Sequence, residues 1–527
     1  MSHLNIIVIL LVSVSSLGFC QGVDVWQTKI SDGDAKRSFM GEWDGANLYN
    51  ENQDDNFILF RKGRTDLLSD DPGRQYRIVV DSNCSFQEML GFGASMTDAA
   101  AFVLMKLKER NPTLYNYTMK KLFDPEEGAG FSFLRKPLGS SDYVAAKSYY
   151  TYCDNKSENL SEFSIDHDKK YIIPALKETL RLNPSIKLMG SPWSPPAWMK
   201  TNESFVGVSA EEKKSGNSCR LKPEYFEVYA DYFIKFIEAY KNEGIEFYAI
   251  TLQNEPQFDM AKYPCMRMSA SDQIKLIKIL GPKLKQNKLQ TRIFIHDHNW
   301  KLHSNDTRIT GGDVKRRPID LCKMIMQDPE AGQYVAGTAW HCYSGGYDDM
   351  KKAYTEMYKE FPEKMIFCTE ATGWGINRGR WFGDVNWGMQ HNWMGGPANY
   401  SAASLQWNLA LDHQYGPTLR DDSQAMGLVT INTDSCQEVK FEREFYPMAQ
   451  MSRAVKTGSV RIKSYVMKGN SGFTNLKTIA FRNQDRELSL VVYNDTAEVY
   501  DFQTESGDNY FVNTIQPRTI ATFVWGE

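Results

Sequence analysis

Residues 224–256 read EYFEVYADYFIKFIEAYKNEGIEFYAITLQNEP, and the fold turns on this stretch. Tyr225, Tyr229, Phe233, Phe236 and Ile237 recur at the three- and four-residue steps of an amphipathic helix over Glu224–Tyr240. A β-rich run, Glu246–Gln253, follows and ends in the polar Asn254-Glu255-Pro256. One helix and one strand are thus expected, with a carboxylate at the strand's end.

The same rhythm extends in both directions. Strands are expected at Glu88–Ala94, Phe131–Pro137, Ser185–Ser191, Glu246–Gln253, Arg292–His298, Tyr334–His341, Lys364–Thr369 and Ala402–Leu409. Further helices are expected at Pro174–Leu182, Ser271–Leu280, Pro318–Met326 and Asp348–Tyr358, the second of them stopped by Gly281-Pro282. Repeated strand–helix order predicts an α/β fold, a (β/α)8 TIM barrel over 91–455. A doubly wound open sheet is the alternative, and eight strands without a glycine-rich phosphate loop speak against it. Gly91-Phe92-Gly93 lacks the third glycine of a dinucleotide fingerprint, and Thr97-Asp98 reads as a helix cap.

The two ends differ from the middle. Thr478–Arg482, Leu488–Tyr493, Glu498–Phe502 and Thr519–Trp525 are short alternating runs with all-β spacing. Phe57–Phe60 and Gln75–Val80 are strand-like near the start. Because chain ends often meet, one β-sandwich is expected from residues 21–90 plus 456–527.

The chain has 527 residues, 42% of them hydrophobic, ample for a large core. Its 61 Lys+Arg against 65 Asp+Glu give a net charge of -4, which argues against a nucleic-acid partner, as does the lack of a long Lys/Arg block. The unbroken apolar run Ile6–Val12, then Ser13, Ser15 and Ser16, then Gly18-Phe19-Cys20, reads as a secretory signal over 1–20. That run is too short for a membrane anchor, and no later stretch is apolar enough to span a bilayer. Sequons at Asn83, Asn116, Asn155, Asn159, Asn202, Asn305 and Asn494 fit a secretory, glycosylated protein. Beyond Cys20, eight cysteines without a CxxC pair suggest a few disulfides and some free buried thiols rather than a zinc cluster.

Chemistry in a barrel sits at the C-terminal ends of its strands. Glu255 ends the fourth expected strand and Glu370 the seventh. Two facing carboxyl groups, one protonated and one ionised, are what glycosidic cleavage needs. Arg135, Asp142, Trp193, Asp297, Asn299, His341, Tyr343, Trp407 and Asn408 fall at or near the same rim. His296, His298 and His341 with Asp297 are a possible metal set, but strand alternation puts Asp297 on the opposite face from its neighbours. A Cys342 or Cys368 thiol paired with His341 is no better placed, so neither a metal nor a thiol nucleophile is expected.

At these residues the chain resembles the glucosylceramidase family, the lysosomal acid β-glucosidases of glycoside hydrolase family 30. The resemblance runs through residues 91–100 (GFGASMTDAA), Ser191-Pro192-Trp193, Trp198–Asn202 and Asn254-Glu255-Pro256. It continues at His341 and Tyr343, at Glu370-Ala371, and at Trp407–Leu411. It implies Glu255 as acid/base and Glu370 as nucleophile of a retaining hydrolysis of glucosylceramide, without metal or organic cofactor. It implies that Asp142, Trp193 and Trp407 hold the glucose ring, and that Arg135, Asn254, His341 and Tyr343 surround the carboxylates. Arg135 and neutral donors are then expected to keep Glu370 ionised, while burial raises the pKa of Glu255.

The resemblance further implies work at an anionic lysosomal membrane surface with a saposin-type activator, or secretion. A relative acting on another β-glycoside, such as a xylan or β-1,6-glucan, is the alternative. The chain departs from the family in lacking an early cysteine cluster, in having Gln406 before Trp407, and over Tyr415–Phe445.

Overall fold

The computed structural model describes residues 22–29, 60–66, 68, 73–303, 306, 317–373, 381–420 and 425–526. The expected signal segment 1–20, the start of the Phe57–Phe60 strand and the Asn305 sequon lie outside these residues.

Eight parallel strands form the centre: β1 (Gly91–Ser95), β2 (Phe133–Pro137), β3 (Lys187–Ser191), β4 (Ala249–Thr251), β5 (Arg292–Asn299), β6 (Val335–His341), β7 (Met365–Glu370) and β8 (Ser401–Asp412). They pair in chain order, and β8 pairs with both β7 and β1, so the sheet closes into a barrel. The long β8 also carries a short two-stranded arm, Gly427–Ile431 and Val439–Phe441.

Inside the barrel, Phe133, Met189, Ala249, Phe294, Ala339, Phe367, Ala403 and Leu405 form one apolar cluster. Phe294 stacks on Phe367 at 4.2 Å and Phe133 meets Phe367 edge-on at 5.3 Å. The barrel floor is therefore packed solid, and ligands are confined to the open end. Gly93 allows β1 to approach β2, because a Cβ there would lie 1.9 Å from the Phe133 carbonyl oxygen.

Helices cover the outside through the expected stripes. Phe226–Asn242 buries Tyr229, Phe233, Phe236, Ile237 and Tyr240 against the sheet. Thr97 caps helix Asp98–Arg110 by accepting the Ala100 N–H at 3.1 Å. One boundary differs from expectation. The helix Ala270–Gln286 runs through Gly281-Pro282 instead of stopping there. Leu276, Leu280 and Leu284 continue a buried stripe across the junction, and the Tyr334 ring occupies the space above Gly281. Tertiary packing outweighs the local cost of the proline.

Both chain ends build a second sheet. Tyr76–Glu88, Val460–Lys468, Leu476–Arg482, Glu487–Asn494, Thr519–Gly526 and Gly22–Lys29 pair in succession, all antiparallel. The sheet folds over as a β-sandwich, bringing Phe511 within 5.4 Å of Phe523 and 5.3 Å of Trp525. Gln450, on the helix Phe445–Ala454, bonds Thr28 and Thr522 of the sandwich and so ties the two units together.

All eight cysteines from Cys84 to Cys436 carry free thiols in this structure. Asn83, Asn116, Asn155 and Asn159 are exposed, as glycan acceptors must be. Asn494 is not: it is buried, and its amide donates to the Glu498 and Gln516 carbonyls. Asn399, which also begins a sequon, is buried and bonded to Gly395. Among the described residues no helix is long and apolar enough to cross a membrane.

Candidate active site

Strand alternation explains how the site is assembled. Two residues beyond the inward-facing Gly93, Phe133, Met189, Ala249, Ala339, Phe367 and Leu405 stand Ser95, Arg135, Ser191, Thr251, His341, Thr369 and Trp407. A period of two puts all of these on the barrel axis, one layer above the apolar floor. The fifth strand breaks the rule. A register shift between His296 and His298, with His296 and Asp297 in the left-handed region, turns the carboxylate of Asp297 inward.

Asp297 is the hub of this layer and has no exposed surface. Its Oδ2 accepts from Arg135 Nη2 at 2.8 Å, Ser191 Oγ at 2.6 Å and Thr251 Oγ1 at 2.7 Å. Its Oδ1 accepts from Thr369 Oγ1 at 2.7 Å and faces His341 Nε2 at 3.1 Å. Regular alternation would put Asp297 on the opposite face from both His296 and His298. The bulge reverses that, and it places His298 with its ring centre 6.4 Å from that of His341.

The two glutamates stand above this layer. Arg135 Nη1 donates to Glu370 Oε2, and Tyr343 Oη donates to Glu370 Oε1 at 2.9 Å. His341 Nδ1 faces Glu255 Oε1 at 3.1 Å, and its Nε2 lies 3.9 Å from Glu370 Oε2. Glu255, Glu370 and His341 each offer an atom within 4.8 Å of the others. Glu255 holds a left-handed backbone, φ 46°, with its N–H bonded to the Asp297 carbonyl at 3.0 Å. Such a conformation in a glutamate is held by its surroundings.

The other expected residues gather around this pair. Asn254 Oδ1 accepts from Arg135 Nη2 at 2.7 Å. Trp193 and Trp407 stack at 4.9 Å, with the Arg135 guanidinium 4.8 Å from the Trp193 ring. Trp193 is fully buried, and its indole N–H donates to Tyr263 Oη at 3.0 Å. Asp142 is buried 3.8 Å from Arg420, and its Oδ1 has no protein partner. Asn299 accepts from the Tyr343 and Ser344 N–H groups, setting the loop that carries Tyr343.

Comparison with known proteins agrees with this geometry. The TIM-barrel domain of glycosyl hydrolase family 30 matches residues 89–455, and that family's β-sandwich domain matches 458–523. The chain belongs to family 30. A Caenorhabditis elegans relative named "Putative glucosylceramidase 4" is 30% identical over 85% of this chain and 83% of its own. The endo-1,6-beta-D-glucanase neg1 of Aspergillus fumigatus is 29% identical over 91% of this chain and 94% of its own. The solved structure of the endo-beta1,6-glucanase BT3312 is similar with a TM-score of 0.77 and 26% identity, over 96% of this chain and 99% of that one.

The charges in this family 30 site differ from the sequence expectation. Burial opposes a charge on His341, but Glu370 and the bonds to Asp297 and Glu255 push its pKa up to about 10. Burial likewise works against the Asp297 carboxylate, and Arg135 and His341 hold it well below the usual range. Glu255 was expected high and Glu370 low. Burial raises Glu370 above the ordinary glutamate range despite His341 and Arg135. It acts on Glu255 too, yet the His341 hydrogen bond and the charges of His298, His341 and Arg135 leave that group below it. A protonated histidine between the carboxyl groups, not visible as a charge in the sequence, is the physical reason.

Ser191, Thr251, Thr369, Tyr263 and Arg420 were not singled out from the sequence. The three hydroxyl residues had a usable signal, since each sits two positions beyond an inward-facing core residue. Tyr263 and Arg420 come from loops, where no periodicity marks direction.

Proposed function

We propose that this family 30 enzyme hydrolyses β-glucosides of primary alcohols with retention, and that β-1,6-glucan is its preferred substrate. The observation that carries the retaining reading is the separation of the carboxyl groups, with an oxygen of each within 4.8 Å. Retaining hydrolysis needs about 5–5.5 Å, whereas an inverting enzyme needs about 6.5–9.5 Å to seat a water.

In this reading Glu370, oriented by Arg135 and Tyr343, attacks the anomeric carbon. The free site favours the pair's proton on Glu370, so substrate binding must move it to Glu255, which then gives it to the departing oxygen. His341 touches Glu255 and lies 3.9 Å from Glu370, so it couples their ionisation. Once Glu370 becomes an ester it carries no charge, and its repulsion of Glu255 ends. Glu255 then favours its ionised form and takes a proton from the water that frees the sugar. Asp142, Trp193 and Trp407 hold the sugar ring, the two indoles stacked on each other, in a catalytic unit of 91–455. The sandwich unit comprises 21–90 and 456–527.

The 1,6-linkage is supported by the names and coverage of the fungal relative and of the BT3312 structure. The nematode relative favours a second reading, glucosylceramide. In both substrates the leaving oxygen belongs to a primary alcohol, the 6-hydroxyl of glucose or the terminal hydroxyl of ceramide. The lipid reading would place the enzyme at an anionic membrane surface in the lysosome with a saposin-type activator. The glucan reading needs only secretion. Side-by-side turnover of β-1,6-gluco-oligosaccharides, glucosylceramide with anionic vesicles, and β-1,4-xylan tests the assignment. Faster release from the 1,6-linked oligosaccharide is expected, and a preference for glucosylceramide would move the assignment to the lipid.

A further inference from the structure

In the buried cluster that contains Trp193, two cysteines approach one another. Cys219 and Cys265 are both buried, and their sulfurs and an Asp259 carboxylate oxygen all lie within 4.8 Å of one another. The two chain segments are laced together at this point. The Arg267 N–H donates to the Cys219 carbonyl at 2.7 Å, and Arg220 bridges Arg267 in parallel pairing. The Cys219 segment is in turn paired with Lys200 through Leu221.

Lys200 is buried beneath them and donates to the Cys265 carbonyl at 2.7 Å, to the Phe205 carbonyl at 3.0 Å and to Ser194 Oγ at 3.1 Å. Gly207 packs so closely that a Cβ there would lie 2.7 Å from the Cys265 sulfur. The two sulfurs therefore sit close together in a closed pocket between two backbone-paired segments.

We propose that Cys219 and Cys265 form a disulfide that clasps the loop after β4 to the segment ahead of helix Phe226–Asn242. That loop carries Glu255 at its start and Tyr263 near its end, and Tyr263 accepts the Trp193 indole N–H. The clasp thus fixes the floor under the stacked tryptophans and the exit of the loop that bears Glu255. A zinc ion is the competing occupant. It wants four ligands. The cluster offers two thiols and one carboxylate, one ligand short of that set.

The bond forms during folding, by exchange with an external disulfide such as oxidised glutathione. One thiol loses its proton, attacks the external disulfide and releases one thiolate. The second thiolate then attacks the mixed disulfide and releases the other. Two cysteine thiols are oxidised, and one disulfide is reduced to two thiols.

The test uses the full chain secreted from an oxidising host, denatured in iodoacetamide without reductant, deglycosylated and digested. A cross-linked peptide pair holding Cys219 and Cys265, lighter by two hydrogens than the two thiol peptides, is expected. Both cysteines alkylated, or either joined to another cysteine, overturns the proposal. So does one equivalent of zinc released on denaturation together with both thiols. The double variant Cys219→Ser/Cys265→Ser is expected to melt about 5 °C lower than the parent. Parent protein folded under reductant should match that variant, and an unchanged midpoint in both would also overturn the clasp. If the variant is not secreted, the peptide map of the parent still decides.

Discussion

His341 stands 3.1 Å from Asp297 through Nε2 and 3.1 Å from Glu255 through Nδ1, so both ring nitrogens face carboxylates. Only an imidazolium can donate to both. With Glu255 ionised, His341 is a second cation beside Arg135, and the two glutamates titrate in its field.

The pKa of about 10 at His341 lies above the ordinary value of 6.5. A histidine raised on folding stabilises the protein fully below about pH 6.5, and that contribution fades as pH rises through the folded value. Nitrogen NMR of the labelled ring should show both nitrogens protonated at pH 7.5. A single protonated nitrogen would refute the imidazolium. His341→Gln should lower kcat by about 100-fold or more, since it removes the charge while keeping one hydrogen bond.

Asp297 touches neither glutamate side chain and acts through Arg135 and His341. Asp297→Asn leaves two buried cations short of a counter-charge and should cost about 3–5 kcal/mol in urea unfolding. Ser191→Ala removes one donor to the same carboxylate and should cost about 1–2 kcal/mol. In Asp297→Asn the pH–rate profile should shift with kcat, because His341 loses a partner that raises it. A loss of stability with an unmoved profile would reduce Asp297 to a packing role.

Asp142 should make stability depend on pH in the direction opposite to a salt-bridged carboxylate. Burial pushes its pKa up to about 7, against the opposing charge of Arg420. A carboxyl raised on folding stabilises most below its unfolded value near about 4, and the benefit is lost as pH climbs through about 7. Asp142→Asn should flatten the thermal midpoint between about pH 4 and pH 7 relative to the parent. An identical slope in both proteins would contradict the shift.

Gly93→Ala should abolish folding or cut secretion severely, because its Cβ would overlap the Phe133 carbonyl oxygen between β1 and β2. Gly346→Ala is the control. Nothing lies within 4 Å of a Cβ there, and its midpoint should hold.

Local pattern was enough for much of this architecture. Apolar steps of three and four residues in 224–240, then a β-rich run over Glu246–Gln253, are properties of neighbouring residues and survive in one dimension. So the barrel, the sandwich at both ends and Glu370 at a strand end were legible in the sequence, whereas Glu255, expected to end the fourth strand, stands in the loop beyond β4, which stops at Thr251. The strand Gly22–Lys29 was not, since it lies beside the expected signal segment and finds its partners at Thr519–Gly526 and Phe60–Asp66.

What the tertiary structure decided depends on register and on charge. A bulge in β5 turns Asp297 inward, against the alternation of its own strand. Gly281-Pro282 stays helical because a leucine stripe and Tyr334 hold it in place. His341 becomes a cation, and the ionisation order of Glu255 and Glu370 changes with it, because three carboxylates from β5, β7 and the loop after β4 surround one ring. Cys219 and Cys265 meet although 46 residues separate them in the chain. Periodicity reports which way a side chain faces when its strand is regular. It carries no information about a bulge, or about which charges from distant strands converge on one buried atom.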